Sequence, residues 1–372
     1  MRSKYKLGDI ISLVDKRNTN FECTNLKGLS MTKEFRPSTS NIVGTDLSKY
    51  KIVEYNQFAV DFMSTIRVHR MPIALNKLRE NIIISPAYAV FEVKDESVIL
   101  TDYLMMWFLR PEFDRYADFR CDAAIRGGYG WNELCDTDIE IPEIEEQKKR
   151  VFEYKTITDR IALKQRINDN LEAQAQAYFD SLFITNKNPD CTLADVSVVN
   201  PTRSLQKGTV ARCFEMAALP TSGCIPIGSE LKPYNGGVRF INGDTIIARI
   251  TPCLENGKAA YINVLNEGEV AFGSTEYIVF AAKEGYPSSF YYFLIRNSQF
   301  VQFALQFMNG SSGRQRVSGE ELASFPLKRP NHDQLFAFDR VGHAVLEQMK
   351  HYAQEIQSLK QLQDIQVAAL CR

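Results

Sequence analysis

The segment Ser311-Ser312-Gly313-Arg314-Gln315-Arg316 ends a small-residue loop with two arginines around a glutamine. Guanidinium and carboxamide groups are well shaped for bidentate contact with guanine and adenine edges. Arg314, Gln315 and Arg316 are therefore candidates for reading a nucleic-acid duplex. Gly127-Gly128-Tyr129-Gly130 occupies the corresponding place in the first half, with Arg126 beside it, which adds Arg126 and Tyr129. Arg249 and Lys258 flank a turn candidate at Asn256-Gly257, and Arg67 and Arg70 lie in the first half. Taken singly, each is an ordinary solvated surface residue. What raises them together is their place on turn sequences rather than in helices.

Catalytic patterns are missing. There is no phosphate loop, dinucleotide fingerprint or H-E-x-x-H, and no G-x-S-x-G nucleophile elbow. Asn-Pro occurs at 188–189 and 200–201, but Asp190 and Thr202 follow, not the Pro and aromatic of an amino-methyltransferase motif; both read as turns. Asp136 and Asp138 lack the neighbouring E-x-K that a magnesium nuclease needs. The eight cysteines form no C-x-x-C pair and stand away from the four histidines, which argues against zinc. No catalytic or metal-ligating residue is assigned, and the pattern points to a binding subunit.

With 372 residues, 45% hydrophobic and 24% charged, two or three globular domains are expected. A net charge of −1 excludes a uniformly basic coat but not local basic patches. No apolar run of 18 residues occurs, and none follows the basic start Met1-Arg2-Ser3-Lys4-Tyr5-Lys6. A cytoplasmic protein with reduced thiols is the expectation.

The chain reads as two copies of one plan. Ser85-Pro86-Ala87-Tyr88-Ala89-Val90-Phe91-Glu92-Val93-Lys94 aligns with Ser274-Thr275-Glu276-Tyr277-Ile278-Val279-Phe280-Ala281-Ala282-Lys283, with the same serine, tyrosine, valine, phenylalanine and lysine. Arg110 and Phe113 face Arg296 and Phe300; Glu133-Leu134 faces Glu321-Leu322; Leu171 and Leu182 face Leu359 and Leu370. Offsets that drift only slightly indicate a diverged duplication.

In each copy a mixed strand-and-turn region precedes a long helical one. From Pro142 to Asn188 there is no Gly or Pro. Apolar residues fall at Tyr154, Ile157, Ile161, Ile167, Leu171, Ala175, Tyr178 and Leu182, mostly three or four apart, which makes one stripe. After Pro330 the stripe is Leu335, Phe338, Val345, Met349, Tyr352, Ile356, Leu359 and Leu362, with heptad steps from Val345 to Leu359. A helix of about 40 residues is roughly 60 Å long, and a single seam on such a rod needs a partner. The other rod is the nearest, giving an intramolecular coiled coil through Ile157, Ile161, Leu171, Tyr178, Leu182, Val345, Met349, Tyr352, Ile356 and Leu359; the alternative is that each helix packs on its own domain. The expected fold is α+β, with two mixed α/β domains, 1–142 and 188–328, and long helices at 143–187 and 329–372. Asn256-Gly257 predicts a tight hairpin turn. The aromatic runs Tyr103–Leu109 and Phe290–Leu294 could stack bases, but at helical spacing they read as core.

Gly243-Asp244-Thr245-Ile246-Ile247-Ala248-Arg249-Ile250-Thr251-Pro252-Cys253-Leu254-Glu255-Asn256-Gly257-Lys258, Ser85-Pro86-Ala87-Tyr88 and the junction Ile141-Pro142-Glu143-Ile144-Glu145-Glu146-Gln147-Lys148-Lys149 together resemble the specificity subunit of type I restriction-modification enzymes. The resemblance runs along essentially the whole chain. The junction resembles that family's I-P-x-P-x-x-E-Q helix start. The second junction, Pro326 to Gln334, has Asp333 where Glu is expected, and the first half has no close copy of the Arg-Ile-Thr-Pro segment.

The resemblance implies two target-recognition domains held apart by two antiparallel helices, each reading half of a bipartite double-stranded DNA site. Changing the rod length would then change the spacer. It implies docking of methyltransferase subunits, two in number, that carry S-adenosylmethionine and do the adenine chemistry. It also implies motor-nuclease subunits that use ATP and Mg, with no cofactor in this chain. Two other readings are a stand-alone nucleic-acid enzyme, which would need a catalytic cluster, and a coiled-coil scaffold that binds only proteins.

Overall fold

The computed structural model describes residues 2–38, 44–122, 129–184, 188–311 and 313–371. Two compact units emerge: Met1–Asp159 with Leu359–Arg372, and Arg160–Ser358. This division differs from the one expected from sequence, because each long helix contributes to both units.

The first unit opens with β1 (Arg2–Lys6), α1 (Leu7–Ile10), β2 (Ile11–Val14), β3 (Lys27–Leu29), β4 (Phe35–Pro37), β5 (Lys51–Val53) and β6 (Phe58–Val60). It continues through α2 (Thr65–Val68), β7 (Ile73–Leu75), β8 (Ile82–Ile84), β9 (Ala89–Val93), α3 (Thr101–Phe108), α4 (Pro111–Asp122), α5 (Trp131–Cys135) and β10 (Asp138–Pro142). The 40-residue α6 (Ile144–Phe183) follows. An antiparallel sheet has the order β2-β9-β6-β7. The β-branched run Ile82-Ile83-Ile84 is wholly buried, as suits a strand packed on both faces.

The second unit repeats the plan. It contains β11 (Cys191–Thr192), α7 (Leu193–Val196), β12 (Ser197–Val199), β13 (Val210–Phe214), β14 (Glu230–Pro233), β15 (Val238–Phe240), β16 (Thr245–Ala248) and β17 (Ala259–Tyr261). Then come β18 (Ala271–Gly273), β19 (Tyr277–Ala282), α8 (Ser289–Arg296), α9 (Ser298–Gln306), α10 (Gly319–Ala323), β20 (Pro326–Leu327) and α11 (His332–Ala368). Its sheet β12-β19-β16-β17 has the order and antiparallel sense of β2-β9-β6-β7. The second sheet, β14-β13-β18-β15, joins β13 to β18 in parallel. In the first unit β3–β4 and β5–β8 are separate pairs, linked by a parallel bridge from Leu26 to Ile83. The duplication seen in sequence is thus a duplication of topology.

The matched residues have matched physical tasks. Lys94 Nζ donates to Gly8 O (2.7 Å), and Lys283 Nζ to Asp195 O (3.0 Å), each tying the end of an inner strand to a short helix. Glu133 accepts from Gly130 N (3.0 Å) and Glu321 from Ser318 N (2.7 Å), so both begin a one-turn helix by capping it. Leu134 and Leu322 are fully buried beneath those caps.

Within the first unit Gln363 Nε2 donates to Thr158 Oγ1 (2.7 Å) and Arg150 Nη1 to Ala369 O (3.3 Å). Within the second, Arg160 and Lys164 both meet Glu355 (2.5 and 2.6 Å), while Phe179 meets Phe338 at 5.2 Å. In each unit the two long helices therefore run antiparallel. Ile157, Ile161 and Met349 are buried; Leu171, Leu182, Tyr352, Ile356 and Leu359 are half-buried. The buried face departs from the expected seam at two places. Phe179 (0% exposed) is buried instead of Tyr178 (36%), and Leu346 (0%) is more deeply buried than the half-buried Val345. The reason is local: Phe179 packs against Phe290, Phe293 and Phe338, aromatic neighbours from α8 and α11. The aromatic runs of α3 and α8 are core, with Tyr103, Phe108, Tyr291, Tyr292 and Phe293 all buried.

The turn at Asn256-Gly257 is a correction. Ile247 is the last β16 residue paired with β17, opposite Ala259. Between them lies a loop whose Leu254, Asn256 and Lys258 N–H groups donate to Ile250, Pro252 and Cys253 carbonyls. Gly257 alone takes a left-handed φ of +69°, whereas a two-residue type I′ turn needs two such residues.

Gln147, from the helix-start motif, is completely buried. It accepts from Leu100 N (2.9 Å) and donates to Val98 O (2.9 Å) and Pro142 O (2.8 Å). Gln147→Leu would leave three backbone groups, one buried and two partly buried, without this partner. It should lower unfolding free energy by about 2–4 kcal/mol, read from the urea midpoint; an unchanged midpoint would refute the anchoring role.

Candidate nucleic-acid interface

In the second unit, pairing of β16 with β19 ends at Ala248 opposite Tyr277. Arg249 is the next residue out, and its N–H donates to Glu276 O (2.9 Å). Its Nε also approaches Glu276 Oε2 at 3.3 Å. The sheet register therefore places this arginine beside this carboxylate.

The arginine-glutamine loop arrives at the same point. Asn309 and Arg316 exchange backbone hydrogen bonds (3.0 and 2.9 Å), closing a neck beneath Gly310–Gln315. Val317 N donates to Arg249 O, Thr251 N to Gln315 O, and Gln315 N to Thr251 Oγ1, each at 3.0 Å. Gly310 has φ +130°, and a Cβ there would lie 3.2 Å from Arg314 O, so the turn requires glycine. Ser312 lies outside the described residues.

Arg316 directs Nε (2.9 Å) and Nη2 (2.7 Å) to Glu276 and Nη1 to Arg314 O (3.1 Å). All three guanidinium nitrogens are engaged, so Arg316 braces the loop rather than extending from it. The Arg316 hydrogen bond is the main reason the Glu276 carboxyl titrates below the usual carboxylate range, and Arg249 contributes further. Two guanidiniums against one carboxylate leave a net positive charge, and Arg314 adds another. Arg314 is exposed, and its side chain has no hydrogen bond or ion pair among the described residues. It is the arm that this loop presents.

The other candidates divide. Lys258 directs Nζ to Met216 O (2.8 Å), holding its own loop down. In the first unit, Arg67 and Arg70 are exposed on the connection from β6 to β7. That connection is the topological counterpart of the β16–β17 loop carrying Arg249 and Lys258. Hence the first repeat carries exposed arginines on the equivalent connection despite lacking its sequence. Tyr129 is a correction: it is 1% exposed, and its hydroxyl is hydrogen-bonded to Thr137 Oγ1 (2.7 Å) in the core. A ring enclosed in this way has no free face for a base. Arg126 lies outside the described residues. Sequence reasoning does not single out Glu276, because nothing local marks a carboxylate that two distant arginines will share.

The specificity subunit of the Escherichia coli type I restriction enzyme EcoEI is 28% identical over 145 residues, covering 37% of this chain and 24% of that protein. That of EcoAI, also from Escherichia coli, is 37% identical over 96 residues, covering 26% and 16%. A crystal structure of a type I restriction-modification S subunit from M. genitalium matches 100% of this chain and 96% of that one, with a TM-score of 0.57 at 11% identity. This chain resembles type I restriction specificity subunits. The structural likeness concerns the fold alone. The matches to the curated relatives span a quarter or less of those proteins' length. No family model matches the chain.

The brace makes a prediction. Arg316→Ala should speed amide exchange across 309–311 and 313–317 several-fold at pH 7, because it removes the ion pair that ties the loop to Glu276. Because the Glu276 pKa is lowered by folding, the brace is complete above the ordinary carboxylate pKa and is lost as pH falls through the depressed value. The wild type should therefore match the variant in strong acid. Equal protection of the two at pH 7 would refute the brace.

Proposed function

We propose that this chain is the DNA sequence-specificity subunit of a type I restriction-modification complex, each repeat reading one half of a bipartite duplex site. The observation that carries this reading is the duplicated topology. The same four-stranded sheet in each repeat sets an arginine-bearing connection at the same place: Arg67 and Arg70 after β6, Arg249 after β16. Two copies of one reading device suit a site with two halves. The sequence likeness to curated specificity subunits supports it.

In this reading the chain recognises and does not catalyse. The long helices dock two methyltransferase subunits, which bring S-adenosylmethionine and methylate adenine. Motor-nuclease subunits, which use ATP and Mg, complete the restriction enzyme in the cytoplasm. Among the described residues no helix is long and apolar enough to cross a membrane. Arg314 contacts a base of the second half-site, while Gln315 and Arg316 hold it in place.

Mapping methylated adenines in a host carrying this gene with its methyltransferase partner tests the proposal. A split motif is expected, and Arg314→Ala should relax one or two base pairs in one half only, at about 1–3 kcal/mol each. An unsplit motif would refute it, as would cleavage or methylation by the isolated chain.

A further inference from the structure

Arg296 is the last residue of α8, and its side chain is only 13% exposed. Every nitrogen of its guanidinium is bonded. Nη1 donates to Gly257 O (2.7 Å) and, at 3.3 Å, to Thr221 O. Nη2 donates to Gly223 O (2.6 Å), and Nε to the Tyr292 hydroxyl (3.2 Å). The counter-charge comes from a long helix. Glu172 of α6 lies 3.6 Å from Arg296 Nε, and it accepts from Gly223 N (3.1 Å) and from the Tyr292 hydroxyl. Tyr292 is completely buried, which pushes its phenol well above the ordinary range, so the hydroxyl keeps the proton it donates to Glu172. All of these residues belong to the second unit.

The carbonyls that this guanidinium meets come from two segments. Residues 220–224 lie against β17, with Ala259 N donating to Pro220 O (3.3 Å) and Tyr261 N to Cys224 O (2.8 Å). Gly257 belongs to the β16–β17 connection, the one that carries Arg249. A Cβ on Gly257 would lie 3.4 Å from Arg296 Nη1, so the loop backbone rests directly on the guanidinium. Leu254 of the same loop is buried, and Asn256 N donates to Pro252 O (3.0 Å). The loop is thus held by its backbone and one apolar plug, while Pro252, Glu255 and Asn256 are exposed. Of these three side chains, only the Asn256 carboxamide offers a donor and an acceptor side by side. That pair complements the major-groove edge of adenine.

An apolar side chain could fill the space that Arg296 occupies, but it could not fix three carbonyls from two segments. We propose that Arg296, backed by Glu172, is a positioning residue for the β16–β17 loop, holding Gly257 so that the neighbouring Asn256 meets a base edge of the second half-site; this rests on the DNA-reading function above. Discrimination at that half-site then depends on the long helix as well as on the sheet.

The test uses the full chain with its methyltransferase partner and maps methylated adenines for Arg296→Lys, Asn256→Ala and the two combined. Lysine keeps the charge, but a single ammonium cannot reach all three carbonyls. Each single variant should relax the same one or two base pairs about ten-fold, in the half-motif that Arg314→Ala also affects, and leave the other half unchanged. The double variant should lose no more than Asn256→Ala alone, because both act through one contact. Glu172→Gln, which removes the counter-charge, should relax the same base pairs to a smaller extent, and it carries the test if Arg296→Lys does not fold. Melting curves keep the assay below the unfolding transition; a purely structural role would lower that transition and leave both half-motifs intact. If the Arg296 and Glu172 variants keep the wild-type motif, relax both halves alike, or add their loss to that of Asn256→Ala, the positioning role fails while the reading function stands. An unchanged motif in Asn256→Ala also overturns the proposal. An unsplit motif in the wild type brings down both the proposal and the reading function.

Discussion

In each repeat the first strand lies antiparallel against the last: Arg2–Lys6 against Asp138–Pro142, and Cys191–Thr192 against Pro326–Leu327. This return of the chain to its starting edge constrains everything that follows. The long helix has to leave from the place where the repeat began. The short helix after the first strand has to turn at once, and both copies do so with a carboxylate, Asp9 or Asp195, accepting from the backbone N–H three residues earlier. In the first copy Gln147 ties the helix start to the sheet. In the second, Leu335 is buried in an apolar cluster near the start of α11.

A rigid frame of this kind leaves its connections free to differ. The loops after β6 and β16 occupy one topological position with unrelated sequences. So do the β3–β4 and β13–β14 hairpins, the second of which pairs Lys232 with Glu215 and Glu230. Buried positions have kept their tasks, as Phe113 and Phe300 show by both being core. The strand-end loops have no packing to preserve, and recognition commonly resides there.

Charge at the loops around Arg249 and Arg316 is organised rather than merely accumulated. Three of the cationic candidates there, Arg249, Lys258 and Arg316, have partners within the protein, and those partners hold the loops in shape. Ordering a loop before binding lowers the entropy lost when it meets its ligand. A chain with net charge −1 can therefore present a few well-placed cations without a broad basic surface.

The sequence by itself determined the duplication, the two long helices and the aromatic core of α3 and α8. Each of these depends on periodicity or on residues near one another in the chain, which local physics reads directly. Only the tertiary structure decided which positions on the helices are buried. A period of 3.6 drifts by about 20° per heptad against a strict seam, so adjacent residues compete and the packing partner chooses Phe179 over Tyr178. Tertiary structure also enclosed Tyr129, joined Arg249 and Arg316 through Glu276, and set Arg296 against Gly257 and Glu172. These are pairings between distant elements, and no spacing along the chain records which carboxylate or carbonyl will stand opposite a given cation.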